Sequence, residues 1–304
     1  MRRVLVTGAS GFVGRACLAP LRARGVEVHA VSRAARPAGT EHDIHWHRAD
    51  LLTAGLADGG AAAVIAAVRP THLLHLAWEA TPGVYWTSRD NLRWVRASLA
   101  LYEAFGAAGG ARAVLAGTAA EYDWTGDGVL SEATTPLAPR TYYGTCKRAL
   151  GDVVLADAAA SGASTAWARL GFLYGPHEHP DRLVASVIGT LLRGGAARCS
   201  PGTQRRDFMH VDDAGAALVA LLASDVRGAV NIASGAAVTV KSLVERVAEI
   251  VGGSGRVELG ALPPDQPPLL VADVRRLRDE VGFVPARSAD ERLHDAIAWW
   301  KARA

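Results

Sequence analysis

Apolar and polar positions change their rhythm along this chain. Over the first two thirds, short apolar, β-rich runs alternate with longer stretches whose apolar residues recur at helical spacing. The short runs predict strands at Arg3–Thr7, Glu27–Val31, Ile44–Arg48, His72–Leu76, Ala113–Ala116 and Thr165–Leu170. The longer stretches predict helices near Val13–Arg24, Ala62–Val68, Asp90–Phe105 and Tyr142–Ala159. Strands joined by crossover helices imply an α/β protein with a mostly parallel sheet covered on both faces. The rhythm breaks after Gly175-Pro176. Helices are expected at about Leu183–Leu192, Asp212–Ala223, Val240–Val251 and Asp290–Lys301, with short strands among them, and the proline-rich Leu262–Pro268 reads as loop.

Composition narrows the class without changing that picture. A chain of 304 residues, half of them hydrophobic, can bury a large core and needs no disulfide or metal staple. The net charge of +3 is small and spread along the chain, so nucleic acid is not an expected partner. Cys17, Cys146 and Cys199 fit neither a zinc spacing nor a disulfide framework and read as buried thiols of a reducing compartment. No leader is expected before the first strand, in which Val4 to Val6 already lie, and no apolar run reaches the roughly 20 residues of a membrane span. A soluble, cytoplasmic protein without a membrane partner is the expectation.

The first chemistry-bearing feature is Thr7-Gly8-Ala9-Ser10-Gly11-Phe12-Val13-Gly14, three glycines at three-residue spacing between a strand and a helix. Gly8 suits the tight turn, Gly11 lets a diphosphate approach the backbone, and Gly14 lets the helix pack close to the sheet. The helix N-terminus then offers free N–H groups to the phosphates. This is a dinucleotide-binding signature in its proper context and makes the sheet a Rossmann doubly wound sheet. The domain reading is a dinucleotide-binding Rossmann domain over 1–170, to which 205–235 returns. A smaller C-terminal α/β substrate-binding region comprises 171–204 and 236–304. An acid at the end of the second strand would favour NAD. That strand instead ends in Ser32-Arg33, with Arg36 close behind, and guanidinium suits a 2′-phosphate, so NADP(H) is the expected cofactor. Asp50-Leu51, after the third strand, is placed to contact adenine.

The second feature is Tyr143-Gly144-Thr145-Cys146-Lys147. A tyrosine and a lysine at i and i+4 share one helix face. In a chain with six tyrosines and three lysines such a pair is seldom accidental. The ammonium is expected to lower the phenol pKa, and the phenol to exchange a proton with substrate. Thr118, ending the preceding strand, supplies a hydroxyl for a carbonyl oxygen.

With these residues in hand, the chain resembles extended short-chain dehydrogenase/reductases of the NAD-dependent epimerase/dehydratase family over nearly its whole length. The matching segments are Thr7–Gly14, Asp50-Leu51, His75-Leu76-Ala77, Asn91, Thr118 with Tyr122, Tyr143 to Lys147, Arg169 to Pro176, Arg206-Asp207-Phe208 with Val211-Asp212-Asp213, Asp273, and Gly282-Phe283-Val284-Pro285. The resemblance implies a catalytic triad of Thr118, Tyr143 and Lys147. The expected cofactor-binding residues are Thr7, Gly8, Ser10, Gly11, Phe12, Val13, Gly14, Ser32, Arg33, Arg36, Asp50, Leu51, Leu76, Ala77, Trp78 and Asn91, together with Tyr143 and Lys147. Substrate is expected at Glu79, Thr118, Ala119, Glu121, Tyr143, Arg206 and His210. Arg206 resembles the residue that grips a substrate diphosphate. A homodimer through the Asp90–Phe105 and Tyr142–Ala159 helices is also implied.

Three features narrow the reaction. NADPH, consumed as a hydride donor, points to a reductase. Ala119-Ala120 stands where the 4,6-dehydratases carry an acid pair, so elimination lacks its acid and base, and Glu121 is out of register. The run from Thr118 to Trp124, with Trp78-Glu79, resembles ketoreductases that act on nucleotide-linked 4-keto-6-deoxyhexoses. The expected function is therefore NADPH-dependent reduction of the C4 ketone of such a sugar, dTDP-linked on this resemblance. Phe172 stands where many sugar-nucleotide enzymes have asparagine, and the Leu262–Pro268 loop lacks a phosphate-binding arginine. These departures leave open a polyketide or aglycone ketone, lined by Trp78, Tyr85, Trp86, Tyr122 and Trp124. The same residues also admit a sugar 4-epimerase or, in a different class, a non-catalytic NADP-sensing regulator. His42, His45 and His47, and His177 with His179, read as solvated rather than metal-binding, since the chemistry needs no metal.

Overall fold

A computed structural model describes residues 3–33, 43–52, 60–126, 128–263 and 267–304. The first part runs β1 (Arg3–Thr7), α1 (Phe12–Ala23), β2 (Glu27–Ser32), β3 (Ile44–Arg48), α2 (Gly60–Val68), β4 (His72–His75), α3 (Asp90–Ala107), β5 (Arg112–Thr118), α4 (Tyr142–Ser161) and β6 (Ser164–Leu170). The chain continues through β7 (Phe172–Tyr174), α5 (Leu183–Leu192), β8 (Ala197–Cys199), β9 (Arg205–His210), α6 (Val211–Ala223) and β10 (Gly228–Ile232). It closes with β11 (Ala237–Thr239), α7 (Val240–Val251), β12 (Val257–Leu259), β13 (Leu269–Leu270) and α8 (Ala289–Lys301).

Seven parallel strands form the main sheet in the order β10-β6-β5-β4-β1-β2-β3. Their near-continuous apolar runs follow from burial on both faces. On one face α1 and α6 lay Leu18, Leu21, Leu218 and Leu222 against Val4, Val6 and Val230. On the other, Leu101, Phe105, Leu150 and Val154 of α3 and α4 cover Leu5, Leu73, Leu115 and Trp167. Strand order reverses between β1 and β4, which opens the crevice beyond their carboxyl ends where α/β sheets bind ligands.

After β6 the chain builds a second, smaller region. β11, β9 and β13 form a sheet with β7 alongside β9, and β12 pairs with β8. The core beneath it holds Val184, Ile188, Val244, Val247, Leu293 and Ile297, from α5, α7 and α8. Within 205–235, α6 and β10 join the large layers, whereas β9 pairs in the small sheet. Among the described residues no helix is long and apolar enough to cross a membrane.

Candidate active site

The glycine loop is built as its spacing requires. Gly8 has φ +69°, and a Cβ there would lie 2.8 Å from the Ala77 nitrogen. A Cβ on Gly14 would lie 2.1 Å from the Gly8 carbonyl oxygen, so only glycine lets α1 close onto the loop. Gly11 caps α1 without a side chain, and a Cβ on it would meet only the Gly8 carbonyl oxygen, at 3.2 Å. The first-turn N–H groups of α1 therefore face an open cradle, which fits a diphosphate. Phe12 and Val13 pack their side chains into the core, so their backbone is what they offer that cradle.

Around the cradle, the Ser32 hydroxyl donates to Ser10 Oγ at 3.2 Å, and exposed Arg33 follows β2. Asp50 accepts a hydrogen bond from Leu52 N at 2.9 Å, and Leu51 is buried. Leu76 N donates to the Thr7 carbonyl and Ala77 N to Thr7 Oγ1. Thr7 Oγ1 also lies 2.6 Å from His75 Nδ1, and His75 Nε2 lies 2.7 Å from Ser98 Oγ, a buried chain under the crevice. Burial and the Lys147 charge push His75 down to about 3, so it is neutral. Arg36 lies outside the described residues, as does His42.

The expected triad converges from two elements. Thr118 ends β5, and Thr141 starts α4 by accepting from Gly144 N at 3.0 Å, which sets Tyr143 and Lys147 in the first two turns. The Tyr143 backbone N donates to the Trp86 carbonyl. Its ring meets Tyr85 at 4.8 Å, Trp86 at 5.8 Å and Trp78 at 6.2 Å, each edge-on. Lys147 is buried, its Nζ donating to the Ala116 carbonyl at 2.7 Å and resting 3.8 Å over the Trp78 ring.

The expected lowering of the phenol pKa by the ammonium is not found. The Tyr143 phenol is pushed up, not down: burial dominates, and the Thr118 hydroxyl, hydrogen-bonded to it, opposes. Lys147 does not do the lowering, because its ammonium is turned to the Ala116 carbonyl and the indole face. Burial in turn brings Lys147 down to about 7.

Beneath Thr118 lies a buried polar network. Thr118 Oγ1 accepts from Ala120 N, and Glu121 accepts from Thr118 N at 2.7 Å, a reciprocal cap of the short turn Ala119–Glu121. The Glu121 carboxylate also takes Arg169 Nε at 2.9 Å and Trp167 Nε1 at 3.0 Å. Arg169 Nη1 donates to the Tyr122 hydroxyl, which donates to Asn231 Oδ1. Glu121, expected to touch substrate, is thus 1% exposed and committed to holding Thr118. Ala119 flanks the site with its carbonyl bonded to Trp124 Nε1.

The remaining expected residues divide in the same way. Asn91 is buried, donating to the Tyr85 and Ser88 carbonyls and accepting from Trp78 Nε1 at 2.8 Å, so it braces the aromatic wall. Glu79 accepts from the Thr81 backbone and hydroxyl. Arg206 is buried, donates to the Arg205 carbonyl, and lies 5.8 Å from the Phe172 ring. His210 is buried at the start of α6, accepting from Asp212 N and packed edge-on to Tyr174, and so is directed into the protein. His47 pairs with His29, and His177 lies against Trp299.

Two groups at the site were not among the expected site residues. Arg182, before α5, donates to the Ala80 carbonyl, and its charge reaches Tyr85 and Tyr143. Arg169 lies 48 residues from its partner Glu121. A buried ion pair at that separation leaves no periodic trace.

Comparison with known proteins matches the NAD dependent epimerase/dehydratase family over residues 4–233. The structure of MoeE5 in complex with UDP-glucose and NAD is similar, with 32% identity, a TM-score of 0.83, and 99% of both chains covered. UDP-glucose 4-epimerase of Corynebacterium glutamicum is 28% identical over 98% of this chain and 94% of its own. UDP-glucuronic acid decarboxylase 1 of Xenopus tropicalis is 26% identical over 99% of this chain and 72% of its own.

Proposed function

Because the chain belongs to the NAD dependent epimerase/dehydratase family, we propose that it reduces the C4 ketone of a nucleotide-linked 4-keto-6-deoxyhexose with NADPH. The observation that carries this reading is the pairing of the Tyr143 and Thr118 hydroxyls, with the phenol kept protonated by burial. A protonated phenol beside a second hydroxyl is an acid for a forming alkoxide. The carboxyl that follows Thr118, on Glu121, is spent on Arg169 and Trp167. This supports a site equipped for proton donation and without the acid–base pair of an elimination.

When bound, NADPH supplies the hydride. The Gly8–Gly14 loop and the α1 N-terminus would hold its diphosphate, Arg33 would meet its 2′-phosphate, and a Lys147 N–H would meet the nicotinamide ribose. Thr118 would receive the substrate oxygen, Tyr143 would hand it a proton, and the wall of Tyr85 and Trp86 would exclude water. Arg206 would approach the diphosphate of the sugar nucleotide. A dimer through α3 and α4 is part of this reading, since Leu92 and Val153 are exposed on those helices. Sedimentation at working concentration tests it.

A second reading, a sugar 4-epimerase that retains NAD, is favoured by the end-to-end similarity to a UDP-glucose 4-epimerase. There Tyr143 must start as the phenolate, the form its raised pKa disfavours. Incubation with NADPH and a dTDP-4-keto-6-deoxyhexose separates the two. Steady loss of NADPH absorbance, faster than with NADH, supports the reductase. Conversion of UDP-glucose without added reductant and no NADPH loss would overturn it.

A further inference from the structure

Among the described residues, Lys147 is a buried cation without an anionic contact. One N–H of its three goes to the Ala116 carbonyl, and the Trp78 ring centre lies 3.8 Å from Nζ. Glu121 acts on it only at range, its carboxylate occupied by Arg169 and Trp167. His75, the other titratable side chain whose charge couples to it, is neutral. Tyr143, one turn earlier on α4, is protonated. The indole face therefore joins the Ala116 carbonyl in direct contact with a charge taken out of water, with Glu121 acting from further off, and an aromatic face attracts a cation most strongly when both are desolvated.

That face is not free to tilt. Trp78 Nε1 donates to Asn91 Oδ1 at 2.8 Å, and both Asn91 amide hydrogens are used on the Tyr85 and Ser88 carbonyls. The indole also stacks on Trp94, with ring centres 6.0 Å apart and planes inclined by 25°. A chain from Asn91 through Trp78 thus sets where the ammonium sits.

We propose that Trp78 is a positioning residue for Lys147: its π face holds and stabilises the ammonium ion, and Asn91 fixes the indole that does so. The two fixed contacts leave the remaining ammonium hydrogens for a ribose hydroxyl of a nicotinamide nucleotide. This role deepens the reductase reading and rests on it for its catalytic meaning, but the contact itself exists in the protein alone.

The experiment uses the full-length apoprotein, so its outcome is independent of the substrate assignment. Lysine isotope-labelled at the ε carbon gives three NMR signals, one per lysine, and the Lys147 signal is the one lost in Lys147→Met. Its titration midpoint is followed in wild type, Trp78→Phe and Trp78→Met. The wild-type midpoint is expected near 7. Phe keeps an aromatic face and is expected to stay close to wild type, whereas Met removes the face and lowers the midpoint by about one unit, a tenfold loss of proton affinity. Equal midpoints in the folded variants would overturn the proposal, because a merely structural Trp78 would change stability and leave the titration alone. Should Trp78→Met fail to fold, fluorinated tryptophan incorporated throughout keeps ring shape and weakens the quadrupole. A lowered Lys147 midpoint then supports the proposal, and an unchanged one overturns it.

Discussion

Replacing Glu121 by Gln tests the foundation of the site. Glu121 and Arg169 are 1% and 5% exposed, and their 2.9 Å ion pair carries added bonds from Trp167 and from the Thr118 backbone. All three neighbours donate, so Gln offers one accepting oxygen where the carboxylate offered two, and turns its own N–H groups toward donors. Arg169 is left as a buried charge without its counter-ion, a defect that costs about 3–5 kcal/mol. Urea unfolding followed by tryptophan fluorescence measures this directly, and a marginal total of roughly 5–15 kcal/mol leaves most molecules folded. Adding Arg169→Met removes the orphaned charge, so the double variant is expected to recover about 1–3 kcal/mol relative to the sum of the singles. A Glu121→Gln loss below about 1 kcal/mol, or strict additivity with Arg169→Met, would refute the claim that this pair carries the Thr118 turn.

Other substitutions address the chemistry. Tyr143→Phe is expected to lower turnover by about 10²–10⁴ while NADPH still binds in a fluorescence titration, since only the proton donor is lost. Arg33→Ala is expected to weaken NADPH binding by roughly tenfold or more and leave NADH nearly unaffected, as loss of one charge-assisted contact predicts. Burial lowers Lys147 from 10.5 to about 7, so the unfolded chain binds more protons between those values and this residue makes stability rise with pH across that interval. Comparing wild type with Lys147→Met by denaturation from pH 7 to 10 is expected to show a shallower rise in the variant.

Much of this was legible in the sequence where interactions are local. The α5 and α7 bounds follow directly from helical apolar spacing, and the cradle follows from three glycines whose neighbours are within a few residues. The short strands β7, β8 and β11 to β13, of two or three residues each, are too brief to show periodicity and exist because β7, β11 and β13 pair with β9, and β8 with β12, across the chain. The site was legible as a set of residues but not as an arrangement. Tyr143 and Lys147 share a helix face as expected. Yet the ammonium is claimed by Ala116 and by Trp78, both far earlier in the chain, and burial raises the phenol where the lysine was expected to lower it. Glu121 and Asn91 lie in the expected segments but serve as braces, a distinction set by long-range bonds to Arg169 and Trp78.

The proposed reaction delivers a hydride to a sugar C4 ketone, with Tyr143 supplying the proton. NADPH carrying deuterium at its transferable position, mixed with enzyme and a dTDP-4-keto-6-deoxyhexose, tests it most directly. One NADPH oxidised per sugar reduced and deuterium on C4 of the product are expected, with transfer slowed by about 10²–10⁴ in Tyr143→Phe. Product formed without deuterium at C4, or no oxidation of NADPH above the enzyme-free rate, would contradict it.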